Sequence, residues 1–129
     1  MKANELRIGN WININGQYVN IGYGVIMDMH KKQKGIKNSY LDTLTFNPIP
    51  LTPEILEKCG FTKMNNGWNM GERKSYMDVI FSLFDDNYCQ GELDLRLNGS
   101  DLPMPKVKYL HQLQNLYFAL TGEELTFKP

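Results

Sequence analysis

The sequence predicts an α+β protein: a bent antiparallel sheet, or a small SH3-like partly open β-barrel, with a short middle helix and a C-terminal helix packed on the sheet. Three observations carry this reading. In 108–125, Leu110, Leu113, Leu116, Tyr117 and Leu120 recur at the three- and four-residue steps that share one helical face, while Gln112, Asn115 and Glu123 fall elsewhere. Short alternating segments are joined by Asn15-Gly16 and Asn65-Asn66-Gly67, whose residues accept the positive φ of tight hairpins. No strand-helix-strand alternation of the kind that builds a parallel sheet is present.

From the N-terminus, Leu6, Ile8, Ile12 and Ile14 alternate with Arg7, Gly9, Asn13 and Asn15, apart from a break at Asn10-Trp11, and predict a strand with one apolar face. Asn15-Gly16 supplies a type I′ turn and 17–21 returns as the partner strand. Gly22 and Gly24 bracket Tyr23 ahead of a further strand over 25–29, with a bend or bulge at its start. His30-Lys31-Lys32-Gln33-Lys34-Gly35 is polar, charged and glycine-terminated, which predicts a solvent loop between strands. The next segment, 36–46, reads as another strand or strand pair.

Pro48 and Pro50 lack ladder donors and break the sheet. A helix then runs from Pro53 to about Cys59: Thr52 caps it, Pro53 fits its first position, Glu54 complements its positive end, and Leu51 staples onto Leu56. Gly60 ends it, with Phe61 folding back on Leu56. Segments 61–64 and 68–70 flank the second hairpin signal, and 75–84 is dense enough in aromatic and β-branched residues to predict a buried strand. Leu93, Leu95 and Leu97 alternate with Glu92, Asp94 and Arg96, a strand with one wet face that Asn98-Gly99 ends. Pro103 and Pro105 lead into the last helix, Gly122 stops it, and 124–127 forms a short final strand.

Composition bounds the function classes. A chain of 129 residues with 42% hydrophobic content can bury a core as a single domain over 1–129. Its 14 basic and 14 acidic residues leave no global field to draw it onto nucleic acid or an anionic membrane. The apolar runs are too short for a transmembrane helix, and the first residues lack the apolar stretch of a secretory signal, so a cytoplasmic protein with no membrane partner is expected. Cys59 and Cys89 sit apart, outside any Cys-x-x-Cys pair and away from histidine, and are read as structural thiols.

Candidate sites are few. His111 lies one turn from Gln114 and Asn115, yet no second histidine or carboxylate accompanies it in sequence, so a packed histidine outweighs a metal ligand. His30, among lysines, reads as a loop residue. Asp85-Asp86 and Glu123-Glu124 are adjacent pairs whose side chains diverge, and solvated turn charges describe them better than a facing carboxylate pair. The serines lack a nucleophile elbow, and Gly22-x-Gly24 lacks the remaining signature of a phosphate loop. Trp11 and Trp68, each near a turn, read as core before partner anchors. No catalytic residue, metal ligand set or cofactor is predicted. The one local charge feature is Lys31, Lys32, Lys34 and Lys37, flanked by Tyr23 and Tyr40, which could hold single-stranded nucleic acid by phosphate contact and base stacking. A solubilising hairpin tip on a neutral molecule is the plainer reading of the same lysines.

Three segments, Glu5-Leu6-Arg7-Ile8-Gly9-Asn10-Trp11, then 48–61 beginning Pro48-Ile49-Pro50-Leu51-Thr52-Pro53, then 108–125 with its Lys108-Tyr109-Leu110-His111-Gln112-Leu113-Gln114-Asn115 start, together resemble a family of small prophage- or mobile-element-associated proteins of gut bacteria. The resemblance transfers no catalytic residue. It implies a mobile-element setting and an accessory role and leaves the molecular activity open; the leading expectation is a non-catalytic accessory or binding protein, with an unidentified protein or a second copy of the chain as partner. A nucleic-acid-binding module using the lysines is the first alternative, and an enzyme whose site assembles only in three dimensions is the second.

Overall fold

A computed structural model describes residues 1–64, 67–70, 81–84, 93–97 and 106–129. The order of elements is a single 3-10 turn (Ala3–Glu5), β1 (Trp11–Ile14), β2 (Gln17–Asn20), α1 (Tyr23–Gln33), α2 (Ser39–Asp42), β3 (Phe46–Asn47), α3 (Pro53–Lys58), β4 (Thr62–Met64), β5 (Gly67–Met70), β6 (Phe81–Phe84), β7 (Leu93–Leu97), β8 (Lys106–Val107) and α4 (Leu110–Thr121). All strand pairs are antiparallel, in an open three-stranded sheet β2-β1-β3 and a five-stranded sheet β4-β5-β6-β7-β8. The α+β class with a C-terminal helix stands. The strands divide between two sheets.

The β1–β2 hairpin forms as its turn chemistry demands. Asn15 has φ 51° and Gly16 φ 86°, both positive as a type I′ turn requires, and Ile14 pairs with Gln17 across it. Asn15 also anchors the far side of the sheet: its side-chain carbonyl accepts from the Thr45 N–H at 2.7 Å and its amide donates to the Thr43 carbonyl at 3.0 Å. This holds β3 in register, with Ile14 opposite Phe46.

Five sequence expectations are corrected in the first half and at the C-terminus. The strand expected from Leu6 begins only at Trp11, because 3–10 fold into the 3-10 turn and a second turn that the Asn10 side chain closes by accepting from the Arg7 N–H at 2.8 Å. The strand expected over 25–29 and the solvent loop after it are one helix, α1. Met29 is buried against Ala3, Leu6, Ile12 and Ile21, and this packing selects a helical period that the apolar run alone leaves open. Gly35, at φ 78°, closes α1 in a Schellman stop: the Ile36 N–H donates to the Lys31 carbonyl and the Gly35 N–H to that of Lys32, each at 3.1 Å. The strand expected over 36–46 is α2, capped by Asn38 accepting from the Tyr40 N–H at 2.8 Å, followed by the two-residue β3. The final strand over 124–127 is absent: that tail has no ladder partner, and instead buries Leu125 and Phe127.

α3 matches its local signals closely. The Thr52 hydroxyl accepts from the Ile55 N–H at 3.3 Å, and the Phe61 and Gly60 N–H groups donate to the Leu56 and Glu57 carbonyls, each at 3.0 Å. The hairpin expected around 65–67 is seen in the β4–β5 pairing, Met64 opposite Gly67. β6 and β7 fall inside the strands expected over 75–84 and 92–97. The Asn65-Asn66 turn residues, the first part of the 75–84 segment, Asp85-Asp86, Cys89, Asn98-Gly99, Pro103 and Pro105 lie outside the described residues.

The two cores lie on opposite faces of β1. Successive strand residues point to opposite sides, so Ile12 and Ile14 join Met29, Ile21, Ala3 and Leu6 under α1, while Trp11 packs on a cluster built from α3, α4 and the C-terminal tail. In that cluster Ile49, Ile55, Leu56, Phe61, Leu110, Leu113, Leu125 and Phe127 are buried. Trp11 meets the edge of Phe127 at 5.2 Å between ring centroids, an arrangement aromatic quadrupoles favour. The Leu110 N–H donates to the Ile49 carbonyl at 2.8 Å and the Leu51 N–H to that of Lys108 at 3.0 Å, which docks the entry of α3 against the entry of α4. Trp11 and residues of 48–61 and 108–125 thus meet in this one core.

Candidate functional site

Among the described residues, the buried polar side chains gather where the 5–11 segment crosses α4. Leu110 and Leu113 face the core as expected, but Leu116, Tyr117 and Leu120 are only half-buried, and the fully buried face of α4 also carries His111 and Gln114. Asn10 opposite is 0% exposed, His111 1% and Gln114 1%. Buried amides must find partners or cost about 1–3 kcal/mol each. Here they do. The Gln114 side-chain carbonyl accepts from the Trp11 N–H at 2.8 Å, and its amide donates to the Gly9 carbonyl at 3.2 Å. Asn10 donates to the Asn115 side-chain oxygen at 2.8 Å, and Asn115 donates to the Glu5 carbonyl at 2.9 Å.

Arg7 closes the outer edge of this clamp. Its two terminal nitrogens hold the Glu124 carboxylate at 2.6 and 2.9 Å, one of them also donates to the Gln114 backbone carbonyl at 3.2 Å, and the guanidinium lies 4.6 Å from the Phe118 ring centroid. The hydrogen bond from Arg7 holds the Glu124 carboxyl below its usual range.

His111 is set apart from these pairs. Its ring stacks on Tyr109 at 6.0 Å, and Nε2 lies 3.6 Å from a Glu5 carboxylate oxygen, an ion-pair distance but too long for a hydrogen bond. Neither ring nitrogen makes a hydrogen bond among the described residues. Burial pushes its pKa below the ordinary value, and Glu5 opposes that shift without cancelling it. A histidine facing a carboxylate is the beginning of a general base, but a reacting atom must come within about 3 Å of it. His111 is 1% exposed and lines neither of the described clefts, so its position is one for packing rather than for substrate. Sequence reasoning had no means of finding Glu5 as its neighbour, since the two are far apart along the chain.

Two clefts open elsewhere. One of about 280 Å³ is lined by Met1, Met29, Lys32, Gln33, Thr45 and Phe46, and one of about 410 Å³ by Glu57, Lys58, Cys59, Gly60, Thr126 and Lys128. The Cys59 thiol is pushed up to about 12 by burial, so it remains protonated at neutral pH and behaves as a structural thiol rather than a nucleophile. Among the described residues no group of three or more His, Cys, Asp or Glu side chains could hold a metal ion, and no helix is long and apolar enough to cross a membrane.

The lysines of the sequence candidate site do not sit on a hairpin tip. Lys31 and Lys32 occupy the last turn of α1, Lys34 caps it, and Lys37 follows in the connection to α2. Lys32 turns away from the others: its ammonium donates to the Leu41 carbonyl at 3.1 Å and to that of Leu44, tying α1 to the end of α2. Lys31, Lys34 and Lys37 are exposed, as is His30. Tyr23 and Tyr40 are 67% and 61% exposed. Comparison with protein-family models found no match, and no curated protein or solved structure matches the chain.

Proposed function

We propose that this chain is a non-catalytic binding protein serving a prophage or mobile element, and that it contacts its partner through the α1–α2 surface. The contrast between two polar regions carries the reading. In the clamp, the Asn10, Gln114 and Asn115 side chains are engaged in internal hydrogen bonds that hold the N-terminal segment on α4. On α1–α2, large side chains face solvent: Tyr23, Ile36 and Tyr40 are three of the six large apolar or aromatic side chains exposed among the described residues. Aromatic side chains are enriched in protein contact surfaces relative to the rest of the surface. The resemblance of 5–11, 48–61 and 108–125 to prophage-associated proteins supports the biological setting.

The test is purification from the native host of the wild-type chain alongside a Tyr23→Ser/Tyr40→Ser variant, both shown to be folded. A molecule recovered with the wild type and depleted with the variant is the expected result. Identical recovery from the two would sink the assignment of the surface. Turnover by the purified chain that survives in the variant would favour an enzyme instead.

A further inference from the structure

The geometry points to the solvent face of α1 and its continuation through Lys37 and Tyr40 as a binding track for single-stranded nucleic acid, with lysines on the phosphates and tyrosines under the bases. This deepens the binding role proposed above and rests on it. At 3.6 residues per turn, positions i, i+4, i+7, i+8 and i+11 from Tyr23 lie along one side of α1. Those positions are Tyr23, Met27, His30, Lys31 and Lys34. The opposite side carries Met29 and Val25 on the core, Gln33 accepting from the Ala3 N–H at 3.0 Å, and Lys32 on the α2 carbonyls. Of the α1 lysines, the one off the stripe is therefore the one with an internal task, and those on it are exposed.

Charge is segregated toward this surface. Residues 23–42 contain four lysines and two aspartates on a chain whose formal charge is zero, so a local positive region stands against a slightly negative remainder. Asp28, at i+5 from Tyr23, falls off the stripe, and Asp42 lies at the far end of α2. The track from Tyr23 to Lys34 is about 16 Å long at 1.5 Å per residue. Two strongly exposed tyrosines, flanking three exposed lysines in sequence, match the needs of an unpaired strand, whose bases stack while its phosphates are neutralised. A duplex conceals its base faces, and the tyrosines then add nothing.

The experiment is fluorescence anisotropy with labelled 15-nucleotide oligo-dT, oligo-U and a duplex of equal length, using wild-type chain, Lys31→Ser/Lys34→Ser/Lys37→Ser, and Tyr23→Ala. Lys32 is left intact because it ties α1 to α2, and circular dichroism melts confirm that each variant folds. Binding of a single strand at micromolar protein is expected, weakening as salt rises with a log–log slope of about −2 for three phosphates. The triple variant should lose at least about tenfold in affinity, and Tyr23→Ala roughly five- to hundred-fold if one base stacks there. The dT and U arms decide whether DNA or RNA is the better ligand. Absence of binding, or equal binding of the duplex with no effect of Tyr23→Ala, overturns the proposal. A protein co-purifying through the same surface would leave the broader binding reading standing in either case.

Discussion

Replacing Gln114 by methionine tests whether the polar clamp, rather than apolar packing alone, holds the N-terminal segment on α4. Methionine keeps the length and most of the volume of glutamine, so cavity formation contributes little. What changes is hydrogen bonding. The Trp11 N–H loses its partner at 2.8 Å, at a side chain that is 1% exposed and closed to replacement water, while the Gly9 carbonyl loses one donor at 3.2 Å and keeps the Asn20 amide at 2.8 Å. Leaving a buried polar group unmet costs about 1–3 kcal/mol, and with the Trp11 N–H as that group the substitution should cost roughly 1–3 kcal/mol. For a chain of this size that corresponds to a fall in Tm of roughly 3–12 °C. Urea unfolding followed by circular dichroism measures the loss directly, and a change in midpoint at constant slope assigns it to stability. Combining Gln114→Met with Asn10→Leu should give less than the sum of the two, because both side chains hold the same 9–11 backbone to the same helix. A loss below about 0.5 kcal/mol would refute the reasoning, since the amide would then be a dispensable filler of the core.

Leu113, 0% exposed between α4 and the core, should cost about 2–5 kcal/mol when cut to alanine, and an unchanged thermal melt would remove α4 from the core. Gly16→Val places a β-branched residue at φ 86° and should destabilise the hairpin by upward of about 1 kcal/mol, with an unaltered Tm counting against the type I′ turn. His111 links stability to pH. Its folded pKa lies below the usual 6.5, so the unfolded chain takes up a proton that the folded chain resists, and its contribution, complete above about pH 6.5, is lost as pH falls through the lowered folded value. Melts between pH 8 and pH 5 should show this decline in wild type and a smaller one in His111→Phe, and equal declines would place the titration elsewhere. Glu124 contributes in the same direction at lower pH, its carboxyl being held below 4.5 by Arg7, but its exposure keeps that effect small.

Local chemistry determined the parts that could be read directly. α3 was legible because its start and stop lie within a few residues of one another: Thr52 caps, Pro53 begins, Gly60 and Phe61 close. The β1–β2 hairpin was legible for the same reason, since positive φ at Asn15 and Gly16 is a property of the turn residues themselves. α4 announced itself through leucine spacing. α1 did not, because Val25-Ile26-Met27-Asp28-Met29 fits either period, and the neighbouring glycines suggested a bulge. A signal was nevertheless present: three basic residues in the last turn of α1 followed by Gly35 form a helix stop, although the same polar composition also fits a solvent loop.

What tertiary structure alone decided is where the polar residues go. Nothing local to His111, Gln114 or Asn115 indicates that Glu5, Gly9, Asn10 and Trp11 will meet them, because those partners are about a hundred residues distant and arrive only when β1 seats on α4. The same holds for the lysines. Sequence places Lys31, Lys32, Lys34 and Lys37 together, but only the helical turn of α1 and the position of α2 send Lys32 inward and leave Lys31 and Lys34 on the face that Tyr23 shares. Capping and turn preferences act between near neighbours and are written in the chain. The partner of a buried amide or the direction of a charge depends on which surfaces pack, and packing is a property of the whole fold.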